Sequence, residues 1–215
     1  YISHLFFDAN VDILTPQNNK KLDQLAKLLL IYPKITAELS CFELPTGQKT
    51  FNLYFSIKKT EKAAEYLAGK GIPRSRLLLK GYGSSFPLVA KPVSNNISPL
   101  YQKLNQRLEI ALHDYESEPV IIDIEGIKVP ENLQDPKGVK FSTLSNQLFY
   151  SVQIASISQI LQSQAIESVE ELFIEVENSS GNYLYMAGMI PTFKEAEKLM
   201  SSLIDLGFPD ARIVP

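Results

Sequence analysis

Cysteine is almost absent from this sequence: Cys41 is the only one in 215 residues. A single thiol closes no internal disulfide and builds no cysteine-based zinc site, and a free cysteine most often serves as a small buried apolar residue. Histidine is nearly as scarce. His4 and His113 lie far apart and have no acid or thiol companions at ligand spacing, so no metal site is expected. Also missing is any apolar run near the roughly 18 residues that a membrane-crossing helix needs. The longest run near the start, Leu28–Tyr32, belongs to an amphipathic pattern, and no membrane span is expected in this segment. Positive charge is not in excess either. The net charge is −3 and the pI about 5.5, whereas nucleic-acid binders usually carry a basic patch or stripe; no nucleic-acid partner is expected.

The signatures of catalysis are lacking as well. There is no G-x-S-x-G, no H-E-x-x-H, no Walker loop and no Rossmann fingerprint. Gly81-Tyr82-Gly83 follows a strand but lacks the third glycine and the helix opening that a dinucleotide site requires. Glu170 and Glu171 sit among polar residues, as solvated surface does, and no nucleophile–base pair stands out. The chain reads as a non-enzyme.

What is present is an ordinary globular composition, 45 % hydrophobic and 21 % charged. It is sufficient for a real core in one large domain or two small ones. Ile2–Phe7 has strand character, and because the chain opens directly on it at Tyr1 the sequence reads as a fragment of a longer protein. Thr15-Pro16 is a helix start, with an N-cap threonine and proline at the first helical position. Leu22, Leu25, Ala26, Leu28 and Leu29 follow at helical spacing, and Pro33 closes the helix. Ile35–Cys41 alternates, with Ile35, Ala37, Leu39 and Cys41 on one face and Thr36, Glu38 and Ser40 on the other, which predicts a half-buried strand. Ser56 is expected to cap a second helix that Gly69 and Gly71 stop. Arg76–Lys80 is a short strand, Phe86–Ser98 a long loop, and Asn105–Leu112 a strand with Leu108, Ile110 and Leu112 inward. That order, β-α-β-α-β-loop-β, predicts an α/β layer with helices on one face.

Proline and glycine punctuate 115–146, which reads as a linker; Val120–Ile124 has the makings of an edge strand. A second fold then begins. Leu148–Ile157 is strand-like, Gln159–Ala165 is a short helix candidate, and two strands, Leu172–Glu177 and Tyr183–Met189, flank the hairpin signal Asn178-Ser179-Ser180-Gly181-Asn182. Thr192 and Glu195 form a capping box for a helix that Gly207 ends, and Ala211–Val214 is a last strand. This β-α-β-β-α-β order is ferredoxin-like.

Several landmarks carry a family resemblance. Lys70-Gly71-Ile72-Pro73 after Leu67, then Lys80 through Pro87 (K-G-Y-G-S-S-F-P), then Asn105 through Ile110 (N-Q-R-L-E-I), resemble the OmpA-like peptidoglycan-binding domain. Asn52-x-x-Phe55-Ser56 fits that family's N-x-x-L-S helix entry. The match runs in order over about residues 1–113. In the family an aspartate in G-H-T-D-x-x-G and an arginine in L-S-x-x-R-A grip the zwitterionic diaminopimelate of the cell-wall peptide, an acid for the ammonium and a guanidinium fork for the carboxylate. Laid on without gaps, the aspartate position is Leu44 and the arginine position Lys59. Leucine accepts no hydrogen bond, and lysine keeps the charge but not the bidentate geometry. Glu43 stands one residue early, a shift that on a strand is expected to point it the other way. The peptidoglycan-binding candidates are therefore Glu43, Asn52, Lys59 and Arg107.

The second part resembles SPOR domains, which bind peptidoglycan glycan strands. Tyr150–Ser156 resembles their Y-x-V-Q-I-G-A opening, Tyr183–Gly188 their Y-x-V-x-x-G, and Phe193–Ala196 a recurring F-x-x-x-x-E-A. On that resemblance Gln153, Tyr183 and Tyr185 are glycan-binding candidates, with ordinary half-buried strand residues as the alternative. The resulting expectation is an α/β (α+β) chain with an OmpA-like domain at 1–114, a linker at 115–146 and a SPOR-like domain at 147–215. The two resemblances imply a periplasmic, outer-membrane-associated module of a Gram-negative envelope that carries no cofactor. Two roles stand side by side: a scaffold for envelope protein partners, as in a secretion or gliding complex, with impaired peptidoglycan binding; or a working peptidoglycan anchor.

Overall fold

Thr15 and Pro16 begin the first helix as their chemistry requires. In the computed structural model, which describes residues 2–7, 13–89, 98–133, 148–161 and 164–215, α1 spans Pro16–Ile31, and the Thr15 hydroxyl accepts from Asn18 N at 3.2 Å. Its apolar stripe, Leu22, Leu25, Ala26 and Leu29, is buried. The far end is closed by Arg76, whose guanidinium donates to the carbonyls of Leu29 and Tyr32, both at 2.8 Å. Carbonyls that a helix leaves without partners are thereby satisfied.

The strands are β1 Leu5–Phe6, β2 Thr36–Phe42, β3 Leu77–Gly81, β4 Arg107–His113, β5 Tyr150–Ile157, β6 Leu172–Val176, β7 Tyr183–Ile190 and β8 Arg212–Val214. The remaining helices, named here in chain order, are α2 Lys49–Gly69, α3 Pro99–Asn105, α4 Gln164–Glu167 and α5 Phe193–Asp205. Three expectations need correcting. α2 starts at Lys49 rather than at Ser56, which lies inside the helix and is buried; its hydroxyl donates to Leu53 O at 2.8 Å and accepts from Gly83 N at 3.0 Å. α3 fills 99–104, which fall between the expected loop and the expected strand, and takes Asn105 from that strand; Ser98 caps it by accepting from Tyr101 N, with Pro99 at the first turn. β2 is buried on both faces, because its polar side, Glu38 and Ser40, is covered as fully as its apolar side. Tyr1, 90–97 of the expected long loop, 134–146 of the expected linker, Gln147 at the start of the expected second domain and 162–163 of the expected short helix lie outside the described residues.

All eight described strands join one sheet in the order β1-β4-β2-β3-β6-β7-β5-β8. In the first half β2 and β3 are parallel while β4 runs antiparallel to β2 and β1. In the second half β5 lies between β7 and β8 and β6 pairs β7, all antiparallel, the split β-α-β arrangement. The halves are joined by β3 and β6, antiparallel through Lys80↔Glu175 and Gly81↔Ile174. One apolar core runs through both, from Leu25, Leu39 and Ile57 to Val152, Ile174 and Leu203. Gly81 lets α2 sit directly on β3: a Cβ there would stand 2.7 Å from Ser56 Oγ and 2.8 Å from Ile57 N. Residues 115–133 run along the first half. Ile2 and Ile124 form a parallel bridge, and Ile127, Val129 and Leu133 pack on Leu44, Leu88, Val89, Tyr101 and Leu104.

Candidate functional site

The first group of candidates is built where β2 runs out. Side chains alternate along a strand, so Ala37, Leu39 and Cys41 enter the core and Glu43 continues on that side. The pairing also continues past the strand ends: Tyr82 N donates to Cys41 O at 2.8 Å and Glu43 N to Gly83 O at 2.7 Å. Glu43 thus meets Lys59 of α2 in an ion pair that doubles as a hydrogen bond. The expectation that Glu43 would point the other way is overturned. It is Leu44 that turns away, into the cluster with Leu88, Val89, Tyr101 and Leu104.

The pair is sealed. The side chain of Lys59 is 0 % exposed and that of Glu43 2 %. The Lys59 ammonium lies 5.2 Å from the Phe7 ring centroid, a favourable cation–π distance. Burial pushes the Glu43 carboxyl up from its ordinary range, while the charge of Lys59 pulls the other way. Gln106, which sequence reasoning passed over, is buried beside them and acts on Glu43 in the same direction as Lys59, although its Nε2 closes no hydrogen bond of ordinary geometry. Cys41 stands in the same interior, its thiol pushed far up by burial.

Asn52 holds the loop that leaves Glu43. With its amide oriented to satisfy both ends, it donates to Thr46 O at 2.8 Å and Leu44 O at 3.2 Å and accepts from the Ser84 hydroxyl at 3.2 Å. Arg107 does not join the pair. It sits on the opposite face of β4 from Leu108 and Ile110, where its Nε donates to Glu109 at 2.6 Å and its guanidinium lies 3.9 Å from the Phe42 ring centroid. From there a row of rings crosses the sheet. Phe42 stacks on Tyr82 at 4.9 Å, and Tyr82 on Phe173 of the second half at 5.0 Å.

The second group of candidates is not brought together. Gln153 pairs across from Met186 and accepts from Arg212 at 3.1 Å, whereas Tyr183 and Tyr185 point to the helix side of β7 with Ala187. Tyr185 is wholly buried; its hydroxyl accepts from Leu161 N at 2.6 Å, and burial pushes its pKa up to about 12. Tyr183 reaches the first half, donating to Glu61 at 2.7 Å and accepting from Lys58 at 3.2 Å. Neither phenol offers a free ring face with a free hydroxyl. Among the described residues no cluster of three or more histidine, cysteine, aspartate or glutamate side chains is set to hold a metal ion, and no helix is long and apolar enough to cross a membrane.

No protein-family model matches the chain. It is similar to outer membrane porin F of Pseudomonas fluorescens, 24 % identical over 106 residues that cover 49 % of this chain and 31 % of that protein. It is similar to outer membrane protein A of Klebsiella pneumoniae, 30 % identical over 95 residues that cover 43 % of this chain and 28 % of that protein. The chain therefore spans 31 % or less of the length of these curated relatives. Among solved structures, the C-terminal domain of Helicobacter pylori MotB covers 52 % of this chain and is covered over 84 % of its own, with 20 % identity and a TM-score of 0.44. For the peptidoglycan-associated lipoprotein from Burkholderia pseudomallei the values are 51 %, 88 %, 19 % and 0.43. Both of these likenesses extend over about half of this chain.

Proposed function

We propose that this chain is a non-enzymatic cell-envelope module whose OmpA-like half keeps the fold but has closed its peptidoglycan site, leaving it to scaffold other envelope proteins. The observation that carries this reading is the Glu43–Lys59 pair. A ligand's carboxylate needs an accessible cation and its ammonium an accessible acid. Here the two side chains in those roles lie against each other, 0 % and 2 % exposed. Prying the pair apart for a zwitterion would leave buried charges uncompensated during exchange, a cost of several kcal/mol. The outer-membrane names of the curated relatives support a location at the outer membrane and adjoining periplasm. The SPOR-like reading of 147–215 is held for its motifs and its ferredoxin-like strand order, and Gln153, Tyr183 and Tyr185 are there structural rather than glycan-binding.

The alternative is a working anchor that tethers a complex to the wall through Glu43, Lys59 and Arg107. Co-sedimentation with purified sacculi separates the two. The scaffold reading expects the chain in the supernatant and no change in its amide NMR spectrum when diaminopimelate is added. Retention on sacculi that Glu43→Ala or Lys59→Ala abolishes, with both variants still folded, would establish the anchor instead.

A further inference from the structure

A helix of 21 residues that begins without a cap of its own is the most informative oddity of this molecule. Gln48 occupies the N-cap position of α2 in extended conformation but its side chain makes no cap bond. The first-turn donors are met from the other half of the chain. The carboxylate of Glu167, at the end of α4, accepts from Lys49 N at 2.8 Å, Thr50 N at 3.0 Å and the Thr50 hydroxyl at 3.1 Å. Lys49 returns the contact, its ammonium donating to Glu167 O at 2.9 Å and also to Val169 O. A carboxylate at this place satisfies open N–H groups and meets the positive end of the helix dipole.

The first turn of α2 is tied onward to the candidate site. Asn52, directly after it, fastens Leu44 and Thr46 of the loop and reaches Ser84, and that loop leaves from Glu43. We infer that Glu167 is an intramolecular latch: packed against α2 from the second half, its carboxylate caps the helix from a distant part of the chain and so holds the Glu43–Gln48 loop in its closed form, and loss of that cap frees the loop. This inference rests on contacts between the halves and is independent of whether peptidoglycan is ever bound. Other contacts along the seam act with it, including Ser85 Oγ to Leu172 O at 2.7 Å and Arg74 to Asn178 at 2.8 Å.

The test is amide hydrogen exchange by NMR on the full chain, comparing wild type with Glu167→Ala, with Glu170→Ala as a control, and with Glu167→Ala combined with Gln48→Asp, which supplies a cap in cis. In Glu167→Ala, protection at Thr50, Phe51 and Asn52 is expected to fall about tenfold, the scale of a lost cap, and the loop amides of Leu44, Thr46, Gly47 and Gln48 to exchange faster with them. Val152 and Ala187, in the middle of the second half, stay protected. Gln48→Asp restores the helix start in the Glu167→Ala background. Unchanged protection in Glu167→Ala, a loss spread evenly over the chain, a loop that does not respond with the helix start, or failure of Gln48→Asp to restore it would each overturn the latch.

Discussion

Lys59→Met is the perturbation that most directly examines the sealed pair. Lysine and methionine have similar length, so little cavity is left and the change is chiefly electrostatic. Removing one member of a buried ion pair leaves the other uncompensated, which costs about 3–5 kcal/mol. Total stability for a domain is about 5–15 kcal/mol, so the variant stays folded at room temperature but loses a large part of its margin. Glu43→Leu is expected to cost a similar amount. The double variant, with both positions apolar, recovers most of the loss, since an apolar pair of matching volume replaces a buried ion pair at little net cost. Urea unfolding followed by circular dichroism at pH 7 yields the double-mutant cycle, and the double variant is expected to lose far less than the two single losses added together. Acidification adds a second readout. Burial already raises the Glu43 carboxyl, and loss of Lys59 removes the charge that opposes the rise. An acid whose folded pKa lies above its unfolded value gains stability as pH falls through the folded value, so the deficit of Lys59→Met should shrink toward pH 5. Single losses below about 1 kcal/mol, the range of exposed pairs, or losses that simply add in the double variant, would refute the account of a dry, coupled pair.

Two further outcomes follow from the sheet. Burial pushes the Glu38 carboxyl up, but His113, Lys80 and Ser40 outweigh it and together hold its pKa down at about 2. A depressed folded pKa contributes stability that is present above the unfolded value and lost as pH falls through the folded one. The acid limb of thermal stability between pH 4.5 and 2 should therefore flatten in Glu38→Gln, by about 3 kcal/mol for a carboxyl held that far below its ordinary range. Gly81→Ala places a methyl group 2.8 Å from the Ile57 backbone nitrogen, so α2 must lift from β3. A loss of about 1–3 kcal/mol, measured by the same urea unfolding, is expected.

Much of the fold was legible because its signals are local. Thr15-Pro16 and the Thr192–Glu195 box start helices where they should, the latter with Thr192 Oγ1 to Glu195 Oε2 at 2.6 Å. The alternation of β2 and β4 names the inward residues correctly. Ser98-Pro99 carries the same kind of start signal for α3. The start of α2 is different in kind. Its cap, Glu167, lies 118 residues further along the chain from Lys49, and no window around Gln48 contains it. The site shows the same division. Glu43 and Lys59 were visible as residues, and so was the charge at 59, but gapless comparison put the acid role on Leu44. The parity of β2, running on through Cys41 to Glu43, decides which side chain faces the helix. Gln106 carried no local signal at all, and Arg107, adjacent in sequence, goes to the other face by the same alternation.

The placement of β6 gives these features a common cause. Without it the last two residues of β3, Lys80 and Gly81, would lie on an open edge with unpaired backbone groups, the kind of edge that invites unwanted pairing. Only two residue pairs join β3 to β6, too few to hold two halves by backbone hydrogen bonds alone. The remaining cohesion has to come from side chains, and the seam shows where. Tyr82 stacks on Phe173 on one face of the sheet. Lys80, between Glu38 and Glu175, adds charge on that same face. Glu167 and Tyr183 hold α2 on the other. Contacts on both faces resist bending as well as sliding, which a short two-strand pairing does not. A module whose β3 end is paired and whose helix start is held by its own second half keeps one fixed geometry, which is what the proposed scaffold role requires.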